Sequence, residues 1–483
     1  MGGKRHLTIL QMNDTHAYLN LHPEMFIKEK GEVHFRNAGG FSRITTIFKE
    51  ARAQNPGGVL ILDNGDTFHG TYPAVSSNGE SLIPILNKMG IDGMTAHWEF
   101  AYGPNHLKKL TAALEYPMLA NNCYDKKSKQ PIFPTDMVIE RAGLKIGVIG
   151  IACHIVDKTM PSHFSTGVSF TLGNEELLTQ IDKLRKVNHV DLIVVLSHLG
   201  FPIEAKIAAE VDGIDILLSA HTHNRLYEPV LINNTLIIQS GCHGSFIGRL
   251  DLEIENRQIL TFRHKLIEVS ESIQPDPQVQ ALINYILEPH RAMLQSKVGE
   301  TKTALHRYAQ LETTMDNLLL QSLIEISNAE IAFSNGWRYG APIPPGPITM
   351  NDLWNIIPTN PPVSTVELTG KEILEMLEEN LERTFAGNPY HQMGGYMKRC
   401  FGLRMFIKIE NPAGTRIQQL FINDQLVDIN QTYLASFVTM QGVPQKYGSN
   451  RRNLNAHAID ALKQFIEKRG VISIQLNDIV QVV

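Results

Sequence analysis

Short apolar runs that each end in Asp, His or Asn are the feature that most limits how this chain can fold. Leu7 to Met12 runs into Asn13-Asp14-Thr15-His16, and Val59 to Leu62 is followed by Asn64-Gly65-Asp66. Leu192 to Leu196 leads to Ser197-His198, and Ile214 to Leu218 leads to Ser219-Ala220-His221-Thr222-His223. Runs of about four to eight apolar residues bounded by turn residues suit buried strands. Helical patterns lie between them, as at Phe41, Ile44, Phe48 and Ala51 behind Gly39-Gly40. The alternation predicts an α/β unit. Further strands are predicted at Met118 to Ala120, Lys145 to Ile151, Leu236 to Gln239 and Arg249 to Ile254.

In α/β sheets ligands collect in the crevice outside the carboxyl ends of the strands. Four polar segments, each bringing Asp or His, converge there and predict a metal site. The D-x-H and H-x-H spacings fit, because alternate residues of an extended segment point the same way. Asp66, as a bridging carboxylate, could hold two cations roughly 3.5–4 Å apart. Any one of these histidines alone is more simply a strand cap or a core hydrogen-bonding group; the ordered set carries the metal reading.

With 483 residues and roughly 150 per domain, two or three folding units are expected. Hydrophobic residues at 43% and charged residues at 19% suit a large core and exclude a disordered chain. The net charge of -5, without a long Lys/Arg run, gives a nucleic-acid surface no footprint, so no nucleic-acid partner is expected. Cys123, Cys153, Cys242 and Cys400 lie far apart with no C-x-x-C pair. They exclude a disulfide framework and a thiolate zinc site, and predict buried thiols in a reducing compartment. The first apolar run breaks at Gln11-Met-Asn-Asp, so neither a signal-peptide core nor a membrane span is predicted. A cytoplasmic location and no membrane partner are therefore expected.

The texture changes near residue 270, giving a first domain over 1–270. Behind Gln274-Pro-Asp-Pro, residues 278–298 put Val279, Leu282, Ile283, Ile286, Met293 and Leu294 on one face. This predicts one long connecting helix, which Pro289 can kink, within a hinge segment 271–300. Residues 301–483 form a smaller α/β or α+β domain: a helix over Thr313 to Ile326, a Pro-rich loop from Ala341 to Pro347, a second helix over Gly370 to Arg383, and strand-like segments from Leu403 to Phe437.

Five motifs, in order, resemble the metallophosphoesterases, in particular the 5'-nucleotidase and 2',3'-cyclic-nucleotide phosphodiesterase branch. They are Asn13-Asp14-Thr15-His16, Gly65-Asp66-Thr67-Phe68-His69-Gly70, His97-Trp98-Glu99-Phe100-Ala101-Tyr102-Gly103, Ser197-His198 and Ala220-His221-Thr222-His223. The resemblance extends through Gly241-Cys-His-Gly-Ser-Phe-Ile-Gly-Arg-Leu to Ser334-Asn335-Gly336-Trp337-Arg338. It implies an N-terminal four-layer αββα sandwich, a linker helix and a smaller C-terminal substrate domain. It also implies Asp14, His16, Asp66 and His223 on one divalent metal, with Asp66, His97, His198 and His221 on the other. Nitrogen and oxygen ligands without thiolates suit Mn, Zn or Co better than Mg. The implied reaction is in-line attack on phosphorus by a hydroxide made at the metal pair.

Two departures bear on the substrate. The family reads G-N-H-E-F at the third motif, where Asn ligates metal and His acts as general acid; here the letters are Ala96-His97-Trp98-Glu99-Phe100. His97 can replace the Asn, whereas the Trp98 indole delivers no proton at neutral pH. His69 is the nearest candidate for the missing acid, ahead of His243 and His154. The His-Trp pair resembles the sulfur-oxidation thiol hydrolases. In the C-terminal domain the family's aromatic base clamp is replaced by Pro358-Thr359-Asn360-Pro361 and Met440-Gln441-Gly442-Val443-Pro444. Trp337, Tyr390, Tyr396, Phe401 and Tyr447 are the other aromatics that could stack on a base. Asn335 and Arg338 match the family's substrate-binding segment, where an Arg can hold an anion bidentately.

The resulting expectation is a dinuclear-metal hydrolase of nucleotide-like phosphate esters. The alternatives are a 2',3'-cyclic-nucleotide or dinucleotide phosphodiesterase, a thiol/sulfate-ester hydrolase, and a non-catalytic metabolite-binding relative.

Overall fold

Period-two burial builds the larger part of the chain around two sheets. Leu7, Ile9, Leu60, Leu62, Leu250, Leu252 and Ile254 of one sheet share a single core with Ile146, Val148, Leu192, Val194, Leu196, Ile216, Leu218, Leu236 and Ile238 of the other. The intervening residues, among them Leu10, Ile61, Val195 and Leu217, are as fully buried on the opposite faces. Strands buried on both faces read as continuous apolar runs, which is why the sequence shows them without alternation. Helix Phe41–Gln54 buries Phe41, Ile44, Ile47, Phe48 and Ala51 along one side.

The computed structural model describes residues 3–483. Two compact units emerge: one runs to Phe26 and resumes over Arg36–Pro289, and the other comprises Ile27–Phe35 with His290–Val483. In the first unit one sheet has the order Gln258–Glu268, Phe246–Glu255, Arg5–Met12, Val59–Asp63, Gly93–Met94. The other has the order Val230–Ile232, Thr235–Ile238, Ile216–Leu218, Leu192–Ser197, Leu144–Ile151, Asp136–Arg141. Arg5–Met12 is parallel to Val59–Asp63, and Leu144–Ile151, Leu192–Ser197, Ile216–Leu218 and Thr235–Ile238 are mutually parallel. Parallel pairing brings the carboxyl ends of these strands to one edge, where the Asp/His segments begin.

Several expectations need correction. Met118 to Ala120 is no strand; Met118 makes a single bridge to Met94, whose short strand Gly93–Met94 occupies the sheet edge instead. The strand expected from Ile214 begins at Ile216. The connecting helix is not continuous: it covers Pro277–Leu287, capped by Asp276 accepting from the Val279 amide at 3.1 Å, and gives way to a 3₁₀ turn at Glu288–His290 and a short turn at Arg291–Leu294. Pro289 has no amide hydrogen for the carbonyl four residues back, and its ring crowds that carbonyl, so the α-helix stops before it. The strand Gln258–Glu268 was invisible in the sequence because it is an edge strand with mostly exposed, polar side chains. Its antiparallel partner Phe246–Glu255 supplies the pattern that it lacks.

The second unit holds a five-stranded sheet in the order Arg399–Phe401, Ile331–Ser334, Thr432–Phe437, Pro362–Thr369, Ser449–His457. Its helices Thr314–Ser327 and Gly370–Phe385 start where expected because Thr313 and Thr369 cap them, the latter in a reciprocal box with Glu372. All four cysteines are buried thiols outside any disulfide. Among the described residues no helix is long and apolar enough to cross a membrane.

Candidate metal centre

Each loop at the strand ends is locked to its neighbour by backbone hydrogen bonds. Asp14 donates its amide to the Gly65 carbonyl (3.0 Å), and His16 donates to the Asp66 carbonyl (2.7 Å). Asn64 bridges the two sheets' strand ends by donating through Nδ2 to the carbonyls of Ser197 (2.9 Å) and Leu218 (2.7 Å). Gly65 and Gly70 permit this approach: a Cβ at Gly65 would meet the Thr95 carbonyl at 2.7 Å, and one at Gly70 the His16 carbonyl at 2.5 Å. Asp14, His16, Asp66, His221 and His223 all have φ between +46° and +70°. Left-handed backbone at non-glycine residues costs free energy and concentrates where function fixes the geometry.

Two groups of donors result. Asp66, His97, His198 and His221 form one and Asp14, His16 and His223 the other, each with ligand-capable atoms within 4.8 Å of one another. Asp66 Oδ2 is common ground: it lies 3.1 Å from His97 Nδ1, 3.3 Å from His198 Nε2 and 3.7 Å from His16 Nε2. Asp14 Oδ1 lies 3.3 Å from His223 Nε2 and 3.5 Å from His198 Nε2. Donors around a transition metal with bonds of about 2.0–2.2 Å sit roughly 3–3.5 Å apart, so most of these separations already match.

The tautomers point the same way. Carbonyl oxygens only accept, so the contacts of His16 Nδ1 with the His69 carbonyl (3.2 Å) and of His198 Nδ1 with the Asn64 carbonyl (2.6 Å) place hydrogen on Nδ1. The Nε2 atoms are left with lone pairs aimed at carboxylates, an arrangement that calls for a cation. Nε2 of both His97 and His198 is buried without a hydrogen bond. Burial opposes charge on these rings, yet Asp66 and Cys153 raise His97 to about 10, and Asp66 with Asp14 raises His198 well above the ordinary histidine value. The site demands positive charge, and a divalent metal meets that demand with these residues as they stand.

Glu99 is the functional residue that sequence reasoning passed over. Its carboxylate accepts from the amides of Thr67 (2.6 Å), His97 (2.7 Å), Asp66 (3.2 Å) and Phe68 (3.3 Å), tying the Asp66 loop to the His97 loop. Asp66 Oδ1 is meanwhile held by the Trp98 amide at 2.7 Å, which turns Oδ2 toward the rings. Its signal in the sequence was its place in the third motif, as the E of the G-N-H-E-F pattern two residues after His97.

Trp98 is buried, stacks on His69 at 4.6 Å between centroids and meets Phe164 edge-on. Burial pushes His69 down to about 4, so it is neutral at pH 7 and weak as a proton donor. His154 is lowered to about 3 by burial and Lys158. In the second unit Arg338 donates to the Gly395 carbonyl (2.7 Å) and lies over the Tyr396 ring. Asn335, three residues before it, is 9% exposed. Trp337 is buried and Tyr447 belongs to the core, so neither offers a face to a base; Tyr390, Tyr396 and Phe401 are half-buried.

Residues 7–225 match the calcineurin-like phosphoesterase family, and residues 294–440 match the 5'-nucleotidase C-terminal domain. The chain belongs to the 5'-nucleotidase family of metallophosphoesterases. It is therefore a member of a family of phosphoesterase hydrolases built on a two-domain α/β fold. It is 24% identical to a 5'-nucleotidase of Vibrio vulnificus over 97% of this chain and 91% of that one. It is equally identical to a trifunctional nucleotide phosphoesterase of Bacillus subtilis over 88% of this chain, spanning only 31% of that longer protein. The sulfate thiohydrolase SoxB of Thermus thermophilus, solved with glycerol, superimposes with a TM-score of 0.91 at 24% identity, covering 100% of this chain and 98% of that one.

Proposed function

We propose that this metallophosphoesterase is a dinuclear-metal hydrolase of nucleotide-like phosphate esters. Asp14, His16, Asp66 and His223 hold one cation, and Asp66, His97, His198 and His221 the other. The observation that supports this reading is Asp66 Oδ2, a single carboxylate oxygen within 3.7 Å of ring nitrogens from both groups. Bound divalent cations supply neutralisation of phosphoryl oxygens and acidification of a water. The chain's own residues orient the donors: the His69 and Asn64 carbonyls fix ring tautomers, Glu99 holds the loops, and the buried Trp98 ring stacks on His69 and meets His97 edge-on. Imidazole and carboxylate donors suit Mn, Zn or Co. Asn335 and Arg338 are the proposed contacts to an anionic part of the substrate, and buried thiols outside any disulfide suit the proposed cytoplasmic setting.

Metal analysis of protein purified without chelator tests this. At least about two equivalents, and p-nitrophenyl phosphate hydrolysis restored by Mn after stripping, are expected; fewer than about one equivalent with no rescue by Mn or Co overturns it.

A second reading is favoured by Trp98 and by the neutral His69 behind it. A centre without a proton donor works best on leaving groups that depart as anions, which include thiolates as well as acidic phenols. Hydrolysis of a thiosulfate or sulfate thioester is thus the competing activity. p-Nitrophenyl phosphate and a thiosulfonate should both be cleaved far faster than AMP, and equal rates on all three would refute the missing-acid argument.

A further inference from the structure

His22, Glu24 and His243 form a third cluster outside the two groups above, and all three side chains are buried. Their ligand-capable atoms lie within 4.8 Å of one another. The His243 ring centroid is 6.2 Å from that of His16 and 6.1 Å from that of His223. We propose that this cluster is a third divalent-cation site, of zinc or cobalt type, beside the metal pair.

Hydrogen counting carries the argument. The 3.1 Å contact of His22 Nδ1 with the Asn20 carbonyl puts hydrogen on Nδ1 and leaves a lone pair on Nε2. That Nε2 faces Ser245 Oγ at 3.1 Å, and the same hydroxyl donates to Glu24 Oε2 at 2.7 Å. One hydroxyl hydrogen cannot serve both neighbours, so the space between them needs added positive charge. A proton on His22 is the poor solution, since it would put a charge on a buried ring packed 5.9 Å from the His243 imidazole. A cation accepting from Nε2 and Oε2 is the good one.

His243 completes the donor set from a distant part of the chain. Its ring is buried, and its Nδ1 lies 3.8 Å from Glu24 Oε2 and 3.5 Å from Cys242 Sγ. Two imidazoles and one carboxylate are a zinc donor set, with water completing the coordination. A tetrahedron with bonds of about 2.0–2.1 Å has edges of roughly 3.3 Å, so closure asks each group to move by less than about 1 Å. Glu24 Oε1 already accepts from Arg225 (2.7 Å) and the Met25 amide (2.9 Å), which leaves Oε2 as the ligand oxygen. The Arg225 charge weakens the carboxylate's pull, so this site fills at higher metal concentration than the pair.

Equilibrium dialysis of the full chain against zinc, with bound metal counted by mass spectrometry, tests the proposal. The wild type should bind one equivalent more than Glu24→Gln or His22→Gln, with hydrolysis at the pair retained in both variants. A count that neither substitution changes overturns this site, whatever its value. A count of one that Glu24→Gln abolishes keeps this site and refutes the dinuclear pair, so the two readings fail separately. Should the variants misfold, anomalous zinc scattering from wild-type crystals decides: a peak among His22, Glu24 and His243 supports the site, and its absence at saturating zinc overturns it.

Discussion

Replacing Glu99 by Gln should uncouple the two loops that present Asp66 and His97 while leaving every proposed ligand in place. The carboxylate accepts from the Thr67 and Phe68 amides on one oxygen and from the Asp66 and His97 amides on the other. A glutamine must turn its NH₂ toward one of these pairs, so two amides lose their acceptor and face a donor. Hydrogen bonds to a charged group contribute about 1.5–3 kcal/mol each; allowing for relaxation, the organised loop state loses about 3 kcal/mol in all. At about 1.4 kcal/mol per decade, metal affinity should fall by roughly 10²-fold, within the range seen for residues that orient metal ligands. Competition with a fluorescent chelator measures the dissociation constant, and thermal unfolding of the metal-free protein checks that the variant folds. A folded Glu99→Gln protein that binds Mn within about threefold of wild type would refute the positioning role, because that change is under 1 kcal/mol.

Three further outcomes are expected. Trp98→His should raise hydrolysis of AMP relative to p-nitrophenyl phosphate by roughly 10–100-fold, since a placed acid contributes about 10²–10⁴; an unchanged ratio in steady-state assays argues that leaving-group protonation is not limiting. Glu204 sits wholly buried beside the Ser219 hydroxyl, and burial raises its carboxyl to about 7. Its native state then keeps a proton that the unfolded chain has released between pH about 4.5 and 7, so stability is lost as pH rises through that window. Relative to Glu204→Gln, the wild type should lose up to about 3 kcal/mol across it, read by urea unfolding with chelator present. In the second unit Asp316 pairs with Arg307 (2.9 Å) and Arg399 (3.0 Å), all buried. Asp316→Asn strips both guanidinium groups of their counter-charge and should cost about 3–5 kcal/mol, seen in calorimetry as a Tm drop on the order of 10 °C.

The parallel strands were legible because burial on both faces writes itself as an uninterrupted apolar run, as in Leu192–Ser197. The capped helices of the second unit were legible because Thr313 and Thr369 are local signals. The edge strand Gln258–Glu268 and the break at Leu287 were not: one owes its conformation to a partner strand, and the other depends on whether tertiary packing holds a proline-bearing helix together. Trp337 and Tyr447 show the same limit, since an aromatic in a loop gives no local sign of whether it ends in a core or at a surface.

By itself the sequence marked the Asp and His residues that the fold gathers into two donor groups, because strand-end position and two-residue spacing are properties of a few consecutive residues. Asp14, His16, Asp66, His198, His221 and His223 each follow an apolar run. Only the tertiary structure decided which of them share space. Strand order sets Asp66 between His97, His198 and His16, and left-handed backbone turns the donors inward. Glu99 fastens the loops, and His243 comes beside His22 and Glu24 from more than two hundred residues away in the chain. Such through-space neighbours are fixed by sheet register and loop closure, which short-range pattern does not encode.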